Sequence, residues 1–215
     1  MQTPHLAARL LFASLVVLAG TVTHAQESES NEWRQWGGPQ RNFISESTGL
    51  ADSWPTDGPP INWSRRLGTG HSAIIFGDGR LFTMYRDGNG HGREGPWSAE
   101  ETVVAMNATT GNTLWEHTYP SKLEDTSFGS GPHATPLLFN GRLFTGGTNK
   151  QLFAFDATNG DVLWSHDLVA AFNAPPLLIR PRVKAGYGCS PLAYKDLVIC
   201  SVGGPGQSVM AFYQN

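Results

Sequence analysis

"AFDATNGDVLW", residues 154–164, is a short apolar run, a polar turn and a tryptophan four residues beyond a glycine; residues 105–115, "AMNATTGNTLW", are nearly the same phrase. Self-similarity at a fixed period is the signature of repeat architectures, so this pair of phrases decides the fold. Around them, "HATPLLFNGRLFTGGTNKQLFAFDATNGDVLWSHDL" (133–168) aligns element by element with "HSAIIFGDGRLFTMYRD" (71–87) followed by "ETVVAMNATTGNTLWEHTY" (101–119). "GRLFT" recurs at 79 and 141 and the tryptophan at 115 and 164; the first offset is the longer, which places an insertion within residues 88–100.

Each copy divides into four short strands. In the second copy these are "ATPLLF", "RLFTGG", "QLFAFDA" and "VLWSHDL", with Asn140-Gly141 as a two-residue hairpin signal suited to a type I′ turn. Four antiparallel strands per repeat of about 50 residues is the period of a β-propeller blade. The repeated phrase is then the turn between the third and fourth strands. Asn107 and Asp156 can close Asx turns, Gly111 and Gly160 can take positive φ, and Trp115 and Trp164 lie on the outer strand, ready to wedge against a neighbouring blade. "GCSPLAYKDLVICSVGG" (188–204) and "SVMAFYQN" (208–215) read as three strands of a third copy, and "INW" (61–63) as a lone outer strand. The expected fold is all-β: an incomplete β-propeller of four-stranded antiparallel blades, with a lead-in at 26–63 and copies at about 64–119, 130–168 and 186–215. Such a ring hides its sheet edges only when closed, so the sequence predicts a chain that continues for another ~200 residues.

Composition agrees with a packed protein: of 215 residues, 40% are hydrophobic and 11% aromatic, which excludes disorder. Residues 1–25 carry Arg9, an apolar run from Leu10 to Gly20, and Thr23-His24-Ala25 before Gln26, the layout of a secretory signal peptide. The run is well short of the roughly 20 residues a spanning helix needs, so the expectation is an exported protein, periplasmic or extracellular, with no membrane span in the mature chain. The formal charge is −3, and cleavage removes Arg9 but no acid, making it one unit more negative. That balance gives no electrostatic case for nucleic acid or an anionic membrane.

The phrase resembles the repeat of the pyrroloquinoline-quinone-like (PQQ-like) β-propeller proteins, roughly A-x-D-A-x-T-G-x-x-x-W. Ala105, Ala108, Thr110, Gly111 and Trp115 fit it in one copy, and Ala154, Asp156, Ala157, Gly160 and Trp164 in the other; Asn107 and Asn159 depart from it mildly. The lead-in "WRQWGGPQRNFISESTGLADSWPTDGPPINW" (33–63) is similar to that of exported bacterial members. The resemblance implies either a non-enzymatic propeller, such as the lipoprotein subunit of the outer-membrane β-barrel assembly machinery, or a quinoprotein dehydrogenase. A dehydrogenase needs a planar quinone on the axis, Ca²⁺ held by oxygen ligands and an Asp base. In the family's enzymes a disulfide between adjacent cysteines often caps the cofactor, and no Cys-Cys pair occurs here. The reading is therefore an exported, non-catalytic scaffold or binding module without a cofactor, meeting protein partners through its propeller faces. The alternatives are a PQQ-dependent oxidoreductase using PQQ and calcium, and a sugar- or polymer-binding propeller.

No catalytic residue or metal ligand set is assigned. The first strands of a propeller line its channel, so His71, His133, Thr135 and Ser190 are the side chains best placed to meet an axial ligand, or else simply hydrogen-bond to neighbouring strands. Asp87, Asn89 and His91 alternate before Gly92, faintly like a calcium loop, but the twelfth position is Ser98 and the segment reads as a Gly-rich surface loop. For Cys189 and Cys200, a turn at Lys195-Asp196 sets Cys200 opposite Pro191 with Cys189 diagonal to it. A disulfide and two small core residues are both open.

Overall fold

The computed structural model describes residues 32–88, 98–123, 126–176, 178–180 and 183–215. The expected signal peptide lies outside them, as do Asn89 and His91 of the calcium-like loop. Strands β1 (Ile75–Gly77), β2 (Arg80–Tyr85), β3 (Glu100–Asn107) and β4 (Thr113–Pro120) form one antiparallel sheet in chain order. Strands β5 (Leu137–Phe139), β6 (Arg142–Gly146), β7 (Gln151–Asp156) and β8 (Val162–Asp167) form a second. After helix α1 (Leu168–Phe172) and the hairpin of β9 (Leu178–Arg180) and β10 (Val183–Ala185), a third sheet is built from β11 (Leu192–Tyr194), β12 (Leu197–Ser201) and β13 (Val209–Tyr213). Strand β1 lies against β5 and β5 against β11, so the first strands converge on one axis while β4 and β8 form the far edges. The architecture is all-β, an incomplete propeller of repeated antiparallel sheets.

Local sequence explains the hairpins. Asn140 and Gly141 have φ of 51° and 70°, and Asp78 and Gly79 have 54° and 69°, so both central residues of each loop take the positive values a type I′ turn requires. Apolar side chains then fill the space between sheets. Ile75, Phe82, Val103, Trp115, Leu138 and Phe155 form the core between the first two sheets. Leu152, Leu168, Tyr187, Val202 and Phe212 form a core between the second and third. Burying each such side chain contributes about 1.5–3 kcal/mol, which explains why β3, covered on both faces, is apolar throughout from Val103 to Met106.

Three sequence expectations are corrected. The first strand of the second sheet begins at Leu137 and not at Ala134, because Pro136 has no N–H to give the ladder and Thr135 bonds to the next sheet instead. Residues 61–63 form no strand: among the described residues no strand pairs with them, and Trp63 docks through its indole on the first turn. The third is helix α1, which the sequence reading does not contain. It is five residues long and too short for a periodic signal, and Asp167 caps it by accepting from Val169 N and Ala170 N at 2.9 and 3.0 Å.

Candidate functional site

The repeated phrase is a joint between sheets. Asn107 Oδ1 accepts from Thr109 N at 2.9 Å and Asp156 Oδ1 from Thr158 N at 2.7 Å, closing the Asx turn in each copy. Opposite the turn, Ala105 pairs with Trp115 and Ala154 with Trp164, so a small side chain stands beside each indole, and a register shift follows at the same place in both sheets. Each indole then reaches forward. Trp63 Nε1 donates to Ala108 O at 3.0 Å, Trp115 Nε1 to Ala157 O at 3.1 Å, and Trp164 Nε1 to Gln214 O at 3.3 Å. Gly111 and Gly160 have φ of 72° and 80°, and a Cβ at either would fall 2.5 or 2.6 Å from the ring of Trp63 or Trp115. The glycine and tryptophan of the phrase are thus partners in adjacent copies: each glycine leaves room for the tryptophan of the copy before it.

At the axial edge, the four sequence candidates are brought together in two pairs. Ala73, Thr135 and Ser190 occupy equivalent positions in the three sheets, and they form a relay. Ala73 N donates to Thr135 Oγ1 at 3.3 Å, and Thr135 N donates to Ser190 Oγ at 2.9 Å. The two hydroxyls therefore link sheets. The rings of His71 and His133 stack, with centroids 4.7 Å apart and planes at 19°. His71 Nε2 lies 2.7 Å from the carbonyl of Phe128. Burial, and then the neighbouring His71, push the His133 pKa below the usual histidine value, so the ring is held neutral.

Sequence reasoning misses the most buried polar cluster. Arg86 and Glu101 are 1% and 0% exposed at their side chains and form an ion pair at 3.1 Å. Arg86 also donates to Ser98 O and Ser121 O, both at 2.7 Å, and to Ser121 Oγ at 2.9 Å. Glu101 accepts from Tyr119 Oη at 2.9 Å and from the backbone N–H and hydroxyl of Thr148, in the turn between β6 and β7. Beside the buried carboxylate the Tyr119 phenol is held protonated, its pKa pushed well up by burial and then by Glu101. The signal that could have found this cluster is misalignment between copies. Arg86 aligns with Thr148 and Glu101 with Lys150, so charged groups stand where the other copy has different chemistry. Lys150 is itself buried and donates to Val202 O of the third sheet at 2.7 Å; burial lowers its pKa.

Two remaining sites are less demanding. Cys189 and Cys200 are free thiols, with Ser201 N donating to Cys189 Sγ at 3.2 Å; burial pushes the Cys200 thiol up to about 11. A shallow cleft of about 400 Å³ lies between Trp63, Arg65, Thr110 and Thr113 at the first turn. Its indole and guanidinium already bond to that turn, Arg65 Nη1 donating to Gly111 O at 3.1 Å.

Residues 99–207, more than half of the chain, match the PQQ-repeat family model described as outer membrane protein assembly factor BamB. Protein FAM234B of Mus musculus is 27% identical over 161 residues, covering 66% of this chain and 24% of that relative. Among solved structures, a europium-containing methanol dehydrogenase is 18% identical, covering 73% of this chain and 25% of that one, with a TM-score of 0.48. A quinohemoprotein alcohol dehydrogenase from Comamonas testosteroni is 19% identical over 82% of this chain and 24% of that one, with a TM-score of 0.45. BamB from Moraxella catarrhalis is 14% identical over 69% of this chain and 48% of that one, with a TM-score of 0.37. The chain therefore spans about a quarter of the curated relative, and a quarter to a half of these structures. With the family model matched from β3 of the first sheet through the second sheet to β12 of the third, and one tryptophan joint repeated through all three, the chain belongs to the PQQ-like β-propeller repeat family.

Proposed function

We propose that this protein is a non-catalytic scaffold, exported to the periplasm or cell exterior, whose propeller faces hold protein partners; the description of its matching family model, an outer membrane protein assembly factor, supports this reading. The observation that carries this reading is the engagement of the axial hydroxyls, of His71 and of the buried ion pair. Thr135 and Ser190 bond between sheets, His71 meets the Phe128 carbonyl, and the neighbouring Arg86 and Glu101 neutralise each other inside the protein. PQQ is a polyanionic quinone; a site for it calls for free cationic donors around its carboxylates and oxygen ligands for Ca²⁺. Among the described residues, Arg86 is paired with Glu101, Lys150 is bonded to the Val202 carbonyl and the imidazole of His133 is held neutral, so these groups do not fit that requirement.

The test is to add PQQ and Ca²⁺ to the whole protein and follow both cofactor absorbance and dye reduction with alcohols. The scaffold reading expects neither. Stoichiometric binding with alcohol-dependent dye reduction would overturn it in favour of a quinoprotein dehydrogenase. Export rests on the expected signal peptide at 1–25: retention of the protein in the cytoplasmic fraction would remove that part of the proposal, and an intact mass of the exported protein that begins at Met1 would remove cleavage. Among the described residues no helix is long and apolar enough to cross a membrane.

A further inference from the structure

The lead-in segment lies outside the repeated sheets and outside residues 99–207 of the family match, yet it has a fixed place. The first strand of each sheet is an edge strand, and its inner row of backbone groups has no ladder partner. Such groups cost free energy if they are buried unpaired. Consecutive residues of the lead-in supply partners for two of the sheets. Phe76 N of β1 donates to Trp33 O at 2.9 Å, and Leu138 N of β5 donates to Arg34 O at 2.8 Å. The third sheet is reached by a side chain: Arg41 Nη2 donates to Ala193 O of β11 at 3.1 Å. These three positions are equivalent by register, lying opposite Leu81, Leu143 and Val198, the second residue of each second strand.

The segment is also anchored and curled. Glu32 accepts from Asp78 N at 2.9 Å, and the Arg34 guanidinium meets the Asp78 carboxylate at 2.6 Å, both at the first hairpin turn. Backbone bonds from Gly38 to Gln35 O, Arg41 to Gly38 O and Phe43 to Gly37 O fold the chain back on itself, and Trp36 packs edge-to-face on Phe43 at 5.1 Å. All of these contacts are at the hairpin-turn end of the inner strands, whereas His71 and His133 stand at the opposite end.

We propose that residues 32–43 are an axial clamp, which ties the first strands of successive sheets together and closes the hairpin-turn end of the propeller axis. Resting on the scaffold reading, the end lined by His71 and His133 is then the one left for an axial partner. Hydrogen exchange on the whole protein tests the clamp without any ligand. The amides of Phe76 and Leu138, though on edge strands, exchange as slowly as those of β2 and β6. Gly38→Val drives a side chain into the Trp33 ring, where a Cβ already falls 2.8 Å away. It raises exchange at Phe76 and Leu138 together, by about tenfold, while β6 and β7 stay protected. Exchange at open-loop rates in the unaltered protein overturns the clamp, as does a Gly38→Val response at Phe76 alone. Neither result bears on the cofactor test, so the two proposals fail separately.

Discussion

The interface between the first and second sheets and that between the second and third share a backbone plan and differ in chemistry. Both are joined by an indole donating to a backbone carbonyl just past the next sheet's third strand, from Trp115 to Ala157 and from Trp164 to Gln214. Both also place a histidine from the outer strand against the next sheet's aromatics: His117 against Phe155, and His166 against Phe212. At the equivalent buried position, however, the first interface has Glu101, paired with Arg86 and bonded to Tyr119 and Thr148, while the second has Lys150, bonded to the Val202 carbonyl and over the Tyr187 ring, beside Leu168 where the first has Tyr119. A buried ion pair repays its desolvation only when its geometry and remaining hydrogen bonds are complete, so Glu101 fits the Thr148 side of one sheet and no other described here. The repeat supplies the joint, and the departures from the repeat decide which sheets fit each other.

The largest effects should come from the first interface. Glu101→Gln leaves the Arg86 charge buried without a carboxylate and should cost about 3–5 kcal/mol, read as a loss of denaturant midpoint with unchanged slope in the whole protein. Trp115→Ala should cost a similar ~3–5 kcal/mol, with Trp164→Ala costing less because Trp164 is only half-buried. Equal losses at the two tryptophans would break the contrast between the interfaces. Lys150→Met, which leaves the Val202 carbonyl without its donor but removes a desolvated charge, should cost about 1–3 kcal/mol. A Lys150→Met loss as large as that of Glu101→Gln would show that the two buried positions are equivalent after all.

The smallest effect is on pH dependence. Burial lowers the pKa of both His117 and His133, and His133 also feels His71. The folded state therefore releases these protons at a pH where the unfolded state still holds them. Stability rises with pH across that window and falls as pH drops below the usual histidine value of about 6.5. The melting temperature should decline between about pH 7 and about pH 5, and His133→Gln should flatten part of the decline. An unchanged slope in that variant would place the acid sensitivity elsewhere.

Much of this was legible in the sequence. The Asx residue, the glycine and the tryptophan of "AFDATNGDVLW" are readable because turn chemistry acts within a few residues, and because the phrase occurs twice. The hairpins at 78–79 and 140–141 are readable for the same reason. The candidate site was legible only as a row of positions. That His71 stacks on His133, and that the hydroxyls of Thr135 and Ser190 bond between sheets, depends on contacts between residues 55 to 62 positions apart, for which no local spacing carries a signal. Arg86 and Glu101 carried only the misalignment between copies, since a charge in or beside a strand reads as solvent-facing until a partner is brought to it.

By itself, the sequence determined the repeat, its all-β character and the local form of each turn, because these follow from backbone preferences and from the alternation of apolar side chains along a strand. Only the tertiary structure decided what each repeated residue is for. Gly160 leaves room for Trp115 of the preceding copy, Glu101 fits the loop of the following one, and Trp33 and Arg34 bond to strands more than forty positions away. The physical reason is common to all three: propeller sheets are complete only through their neighbours, so the groups that complete them lie far apart in the chain.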